Sequence, residues 1–223
     1  MPFGVDEAGK GPVLGSMFAA AVHCEEPSVL PDGIRDSKRL SPERREELAA
    51  TLRSDDRLAI GVAEITPARI DDPETDMNSL AVAAHAEAIE AAIDGLERDA
   101  DSSSPVSGLC DACDTDADRF ARRVTAACPL EDLSVDARHG ADDDSPLVGA
   151  ASIIAKVERD AHIAGFADEY GPIGSGYPGD STTREFLASY VTEHRELPPF
   201  ARDSWSTCEQ VLADAEQTGL EQF

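Results

Sequence analysis

Asp6 and Glu7 stand at the end of a short apolar run, Phe3-Gly4-Val5, and are followed by Ala8-Gly9-Lys10-Gly11. Two adjacent carboxylates at the end of a buried strand cannot both stay ionised without a counter-charge. A divalent cation supplies one, and hard cations take oxygen ligands. Gly9-Lys10-Gly11 offers backbone N–H groups that can approach a phosphate closely, with one positive charge beside them. Metal ligands beside phosphate ligands point to metal-assisted phosphoryl chemistry. Residues 4–11 also come within one position of the nucleotide-binding pattern G-x-x-x-x-G-K-[ST]. That reading fails. Gly11 replaces the hydroxyl residue that would hold magnesium, Asp6 and Glu7 would put carboxylates inside an anion cradle, and Pro12 and Gly15 interrupt the helix that must follow.

Such a site needs further carboxylates from other strands. Asp111 closes an apolar segment containing Val106, Leu109 and Cys110, much as Asp6 closes its own. Asp142 follows the short apolar segment 133–137 and stands just ahead of a helix opening at Pro146. Four carboxylates converging on one sheet edge can hold two divalent ions about 3.5–4 Å apart, stabilising the attacking and leaving oxygens of a phosphodiester. Spacing alone does not single these out. The chain has 45 acidic residues, and Asp114, Asp116, Asp118, Asp143 and Asp144 lie nearby.

The elements that must position these groups alternate between strand and helix. Apolar runs at 3–7 and 13–24, separated by a glycine-rich turn, read as two strands. Ser41-Pro42 is a helix-opening pair ahead of helix formers at 43–53. Alternation over 58–65 gives a third strand, 106–111 a fourth and 133–137 a short fifth. Helical patterns cover 78–98, 116–127, 146–166, 184–194 and 204–216, while the Asp, Ala and Ser stretch at 99–104 is a surface loop. Strands alternating with helices argue for an α/β fold with a helix-rich C-terminal third.

With 223 residues the chain is long enough for one large domain, and nothing in it is apolar for long enough to span a membrane. The first residues lack the pattern of a secretory signal, so a cytoplasmic location is expected. The five cysteines are odd in number and read as buried thiols; Cys110-x-x-Cys113 has zinc-like spacing without a second Cys/His pair at a matching interval. The histidines at 23, 85, 139, 162 and 194 suggest no shared site, although His139 lies three residues before Asp142. Charge is the anomaly. Forty-five Asp and Glu face 19 Lys and Arg, a net charge of −26 spread along the whole chain. Such a surface repels itself and any polyanion unless molar salt shortens the Debye length to about 3 Å. Lys10, Lys38 and Lys156 are the only lysines, and the lysine-poor acidic surface looks like that of proteins from extreme halophiles.

The segments Gly4-Val5-Asp6-Glu7-Ala8-Gly9-Lys10-Gly11-Pro12-Val13 and Asp36-Ser37-Lys38 closely resemble the opening of archaeal ribonuclease HII. The likeness continues through Met77-Asn78, Cys110-Asp111-Ala112-Cys113-Asp114, Ala141-Asp142 and 150–156, then Gly174-Ser175-Gly176-Tyr177-Pro178 and Ser204-Trp205. The ordered set, collinear from residue 3 to about 205, is what is specific. The resemblance implies a ribonuclease H-like mixed sheet flanked by helices at 1–170, and a helical C-terminal extension at 171–216. It implies two Mn2+ or Mg2+ ions on Asp6, Glu7, Asp111 and Asp142, and an endoribonuclease that cuts RNA/DNA hybrids and incises at ribonucleotides embedded in duplex DNA, leaving 5′-phosphate and 3′-hydroxyl ends. Substrate contacts fall on Gly9, Lys10, Gly11, Ser37, Lys38, Asn78, Lys156 and Tyr177. Lys10 stands where many members carry arginine, which loses the planar fork and keeps the charge. Tyr177 matches a tyrosine that reads the RNA-to-DNA junction by packing on the deoxyribose after the cut ribonucleotide. All three lysines fall inside these segments.

The protein is expected to act as a monomer. Gln217, Leu220 and Phe223, in a flexible tail at 217–223, resemble the peptide by which replication and repair enzymes bind the sliding clamp. One helical turn would put Leu220 and Phe223 on one side to fill an apolar pocket. Two rivals remain. A non-catalytic acidic adaptor that binds metal or clamp would have no use for intact Asp6, Glu7, Asp111 and Asp142, and ribonuclease HIII would carry an N-terminal domain ahead of a strand that here begins at residue 3.

Overall fold

A computed structural model describes residues 1–34, 40–94, 96 and 106–220. The five strands are β1 (Pro2–Ala8), β2 (Met17–His23), β3 (Ala59–Ile65), β4 (Val106–Asp111) and β5 (Leu133–Arg138). They form one mixed sheet in the order β3-β2-β1-β4-β5. β1 runs antiparallel to β2 and parallel to β4, and β4 runs parallel to β5. The helices are α1 (Pro42–Arg53), α2 (Pro67–Ile70), α3 (Met77–Ile93), α4 (Ala117–Ala127), α5 (Ala141–Asp144), α6 (Pro146–Tyr170), α7 (Ser181–His194) and α8 (Ser206–Leu220). Among the described residues no helix is long and apolar enough to cross a membrane.

The chain groups into two compact units. The first holds residues 1–8, 18–64 and 77–158, and the second holds 9–17, 65–76 and 159–223. In the first, β2 is buried along its whole length, and its Ala20 and Val22 pack with Leu48 and Leu52 of α1 and with Leu147, Ile153 and Ile154 of α6. Ser41 caps α1 by accepting the Arg44 N–H, as the Ser41-Pro42 pair predicts. Gly4 is where α6 meets β1. A Cβ there would stand 2.3 Å from the Leu147–Val148 backbone, so only glycine lets the helix start lie directly on the strand.

In the second unit, Val13 and Leu14 pack with Ile163, Ile173, Leu187, Phe200 and Cys208. Phe200 stacks on Phe166 at 4.0 Å. Residues 13 and 14 therefore leave the sheet instead of extending β2, contrary to the continuous strand expected at 13–24. Leu14 bridges Ala201, and the Val13 and Gly15 N–H groups donate to the carbonyls of Gly176 and Phe200. Their apolar side chains are satisfied by α6–α8, a burial that an apolar run alone does not distinguish from a strand. α3 stops at Ile93, short of the expected 98. The loop at 99–104 lies outside the described residues. α6 runs on to Tyr170, α7 starts at Ser181 behind an Asp180 cap, and α8 continues to Leu220, past the expected end at 216.

Candidate active site

The parallel strands β1, β4 and β5 end on the same edge of the sheet, and side chains at such an edge are free to face a ligand. Asp6 and Glu7 lie near the end of β1, Asp111 ends β4, and Asp142 lies in the single turn α5 that follows β5. Asp111 Oδ1 accepts the Ala141 N–H at 3.0 Å, which ties the end of β4 to the start of α5. Asp6 and Asp142 are buried, at 5% and 1% exposure. Burial first, then the charges of Glu7 and Asp111, hold the Asp6 carboxyl well above the ordinary carboxylate range. Burial also raises Asp111, helped by Asp142 and Glu7 and opposed by the Ala141 N–H. Asp6 thus feels Glu7 and Asp111, and Asp111 feels Glu7 and Asp142.

Lys156 supplies a positive charge to this cluster. Its Nζ donates to Ser152 Oγ one turn earlier on α6, and the Ser152 hydroxyl bonds Asp6; both lower the Asp6 pKa. One ammonium against four acids leaves an excess of negative charge that suits a divalent cation with oxygen ligands. Glu7 has a second partner that the sequence reading missed. His85, fully buried on α3, places Nε2 3.0 Å from Glu7 Oε2 and presents its ring edge to Phe120 at 5.0 Å. A polar residue among the alanines of α3 was the available signal. His139, by contrast, is exposed and bonds the Ala112 carbonyl through Nδ1. Asn78 is exposed in the first turn of α3, and Ser37 and Lys38 lie outside the described residues.

The second unit brings Gly9-Lys10-Gly11 and Tyr177 together. Tyr177 is 43% exposed, as an exposed-loop tyrosine should be, and a Cβ on Gly11 would lie 3.7 Å from its ring. The Arg159 guanidinium sits 5.0 Å over the Tyr177 ring and donates to the Ser175 carbonyl. Gly9 takes φ +90, which L side chains rarely adopt, and turns its carbonyl to Arg202. Arg202 is wholly buried, and it donates to the carbonyls of Gly9 (2.6 Å), Gly15 (2.9 Å) and Lys10 (3.1 Å) while lying over Trp205. Neither arginine was singled out by sequence; the acceptors of Arg202 are backbone carbonyls nearly two hundred residues away. In the C-terminal peptide Gln217 is exposed on α8, whereas the Leu220 side chain and Phe223 lie outside the described residues.

The sequence profile of the family described as Ribonuclease HII matches residues 3–208. A ribonuclease HII of Haloarcula marismortui is 58% identical over 224 residues, covering all of both chains. Among solved structures, ribonuclease H2 from Pyrococcus horikoshii OT3 superposes with a TM-score of 0.84 at 35% identity, over 97% of this chain and 99% of that one. The ribonuclease HII of Archaeoglobus fulgidus, solved in a complex with PCNA, gives 0.80 at 34% identity over 95% and 96%. Sequence and structure match along nearly the whole chain, which belongs to the ribonuclease HII family of ribonuclease H endonucleases.

Proposed function

We propose that this chain hydrolyses the RNA strand of RNA/DNA hybrids and incises at ribonucleotides embedded in duplex DNA. Asp6, Glu7, Asp111 and Asp142 would hold two divalent ions, Mn2+ or Mg2+. The observation that carries this reading is the placement of those carboxylates at neighbouring ends of parallel strands, with Asp111 Oδ1 bonded to the Ala141 N–H beside Asp142 and with Asp6 in the field of Glu7 and Asp111. When bound, the ions supply charge stabilisation to the attacking and leaving oxygens of the phosphodiester. The chain's own groups do the rest. Ser152 and Lys156 keep Asp6 oriented and ionisable. Backbone N–H groups of Gly9 and Gly11 and the Lys10 ammonium receive phosphate, with Ser37, Lys38 and Asn78 as further substrate contacts. Tyr177, its ring backed by Arg159, packs on the sugar beyond the cut. Discrimination of RNA from DNA falls on the 2′-hydroxyl.

On this reading residues 1–170 carry the catalytic core and 171–216 supply the junction-reading loop and its supporting helices. Gln217, Leu220 and Phe223 would engage a sliding clamp. The complex with PCNA formed by the Archaeoglobus fulgidus relative supports such a partner for this chain. The acidic surface fits work in molar salt. The decisive experiment incubates the protein with a duplex containing one ribonucleotide in molar KCl with Mg2+ or Mn2+. Incision with 5′-phosphate and 3′-hydroxyl ends is expected, and Asp111→Asn should lose several orders of magnitude in turnover. Near-normal turnover of that variant at saturating Mg2+ would sink the assignment. Titrating the clamp of the same organism against the full chain and a chain ending at Glu216 tests the tail; equal binding by both removes it.

A further inference from the structure

Two features play no part in the catalytic reading: the Cys110-x-x-Cys113 spacing and the buried histidine of α3. The fold joins them. One ligand atom each from Glu7, His85 and Cys113 lies within 4.8 Å of the others. They come from β1, from α3 and from the turn after β4. His85 is wholly buried; Nε2 faces Glu7, and Nδ1 has no hydrogen-bond partner. A cation that takes the Nε2 lone pair therefore displaces the Glu7 contact and leaves the ring proton on Nδ1. Cys113 is the cysteine of the pair that lies beside Glu7 and His85, while Cys110 is fully buried within β4. Cys113 is only half-buried.

We propose that Glu7, His85 and Cys113 form a separate site for a thiophilic divalent cation, Zn2+ above all, whose occupancy competes with the catalytic ions because Glu7 serves both. A thiolate, an imidazole and one carboxylate select Zn2+ over Mg2+ or Mn2+, whereas an all-carboxylate set does the reverse. Zinc takes sulfur at about 2.3 Å and nitrogen or oxygen at about 2.0–2.2 Å, so tetrahedral donors stand about 3.3–3.8 Å apart. Closing from a limit of 4.8 Å asks for about an ångström of side-chain movement. Binding releases the Cys113 thiol proton to solvent and moves the imidazole proton to Nδ1. With Glu7 turned to the zinc, the paired-ion site loses one of its four carboxylates. The zinc site stands on its own donors; only its competition with catalysis rests on the proposed role of Glu7.

Co2+ serves as the optical probe, titrated into the full chain in molar KCl. One equivalent should give the near-ultraviolet thiolate-to-cobalt band and the intense visible bands of four-coordinate cobalt, displaced by Zn2+ and not by Mg2+. Cys113→Ser should abolish the thiolate band, His85→Gln should weaken Co2+ binding at least tenfold, and Cys110→Ser should keep the band. A band that survives Cys113→Ser, or only the weak absorbance of an all-oxygen cobalt site, overturns the proposal. Cys113→Ser is a small change at a half-buried position, so the answer does not depend on His85→Gln folding. In the cleavage assay, Zn2+ should inhibit at fixed Mg2+, extra Mg2+ should relieve it, and Cys113→Ser should need at least tenfold more Zn2+. Inhibition indifferent to both Mg2+ and Cys113→Ser removes the competition. A thiolate band in a protein that cuts nothing removes the catalytic reading and leaves the zinc site standing.

Discussion

Arg202→Met replaces a buried cation by an apolar side chain of similar reach, and it tests whether the second unit exists to hold the Gly9-Lys10-Gly11 loop. Arg202 donates to three backbone carbonyls, at 2.6, 2.9 and 3.1 Å. Burial, and then the nearby Arg159 charge, lower its pKa to about 10, so it remains protonated at neutral pH. Leaving a buried acceptor unsatisfied costs about 1–3 kcal/mol each. Three such carbonyls would cost about 3–9 kcal/mol, against which the variant recovers the several kcal/mol spent in desolvating a guanidinium. The net loss works out at about 3 kcal/mol. For a chain of this length that lowers Tm by about 6–12 °C. Arg202→Lys keeps the charge but has one ammonium for three divergent acceptors, and it should recover less than half of the loss. The functional effect follows from which backbone is released. With Gly9 and Lys10 unpinned, KM for a singly substituted duplex should rise about tenfold. Turnover at saturation should change far less, since the four carboxylates sit on β1, β4 and α5. Thermal unfolding in molar KCl and steady-state cleavage together check this. Stability within 1 kcal/mol of the parent, together with an unchanged KM, would refute the pinning role.

Metal should stabilise the protein more at high pH than at low. Asp6 and Asp111 have folded-state pKa values raised above the ordinary carboxylate range, so metal-free stability falls as pH rises through that range toward them; the Mn2+-induced Tm shift should be larger at pH 8 than at pH 5, and equal shifts would count against the cluster. Tyr177→Ala should raise KM for a single embedded ribonucleotide about tenfold while moving Tm by less than about 2 °C, because the ring is 43% exposed; parallel losses would make it a packing residue. Stability should climb steeply up to molar KCl as the −26 charge is screened, while activity passes through a maximum because phosphate contacts weaken. A protein fully folded and maximally active in 50 mM salt would contradict this reading of its surface.

The legible part of the site consists of residues that break a local pattern. Asp6 and Asp111 are acids that close apolar strands, and β1 and β4 turn out to be parallel neighbours with matching ends. Spacing does not separate Asp111 from Asp114 and Asp116, and the family resemblance does; in the structure Asp116 caps α4 and Asp114 pairs with Arg119 of its first turn. The illegible part consists of residues whose partners have no side-chain identity or are chosen by helix register. Arg202 lies 187 to 193 residues from the carbonyls it holds, and a carbonyl leaves no mark in sequence. His85 faces Glu7 only because α3 lies on β1 with that turn inward, which alanine-rich periodicity does not specify. The strand expected at 13–24 begins late, at Met17, for the same reason, since Val13 and Leu14 are apolar whether they enter a sheet or a helical cluster.

The scarcity of lysine has a second side in the structure. Sixteen of the 19 basic residues are arginine, and two of them, buried Arg202 and half-buried Arg159, do work that an ammonium could not. Arg202 spreads over three acceptors, while Arg159 meets the Asp160 carboxylate, the Ser175 carbonyl and the Tyr177 ring at once. A planar fork makes those combinations possible, and a point charge on a flexible stem does not. Lys156 sits where one donor on one hydroxyl is enough. Lys10 stands between two glycines, and on the proposed reading it would bring charge to a phosphate held by their backbone N–H groups. Arg202 holds the backbone on which Lys10 stands. Exchanging the two kinds separates these tasks: Lys10→Arg should preserve cleavage and steepen its dependence on salt little, whereas Arg159→Lys should free the Tyr177 ring and raise KM for the single-ribonucleotide duplex. An Arg159→Lys protein with parental KM would show that Tyr177 needs no backing from α6.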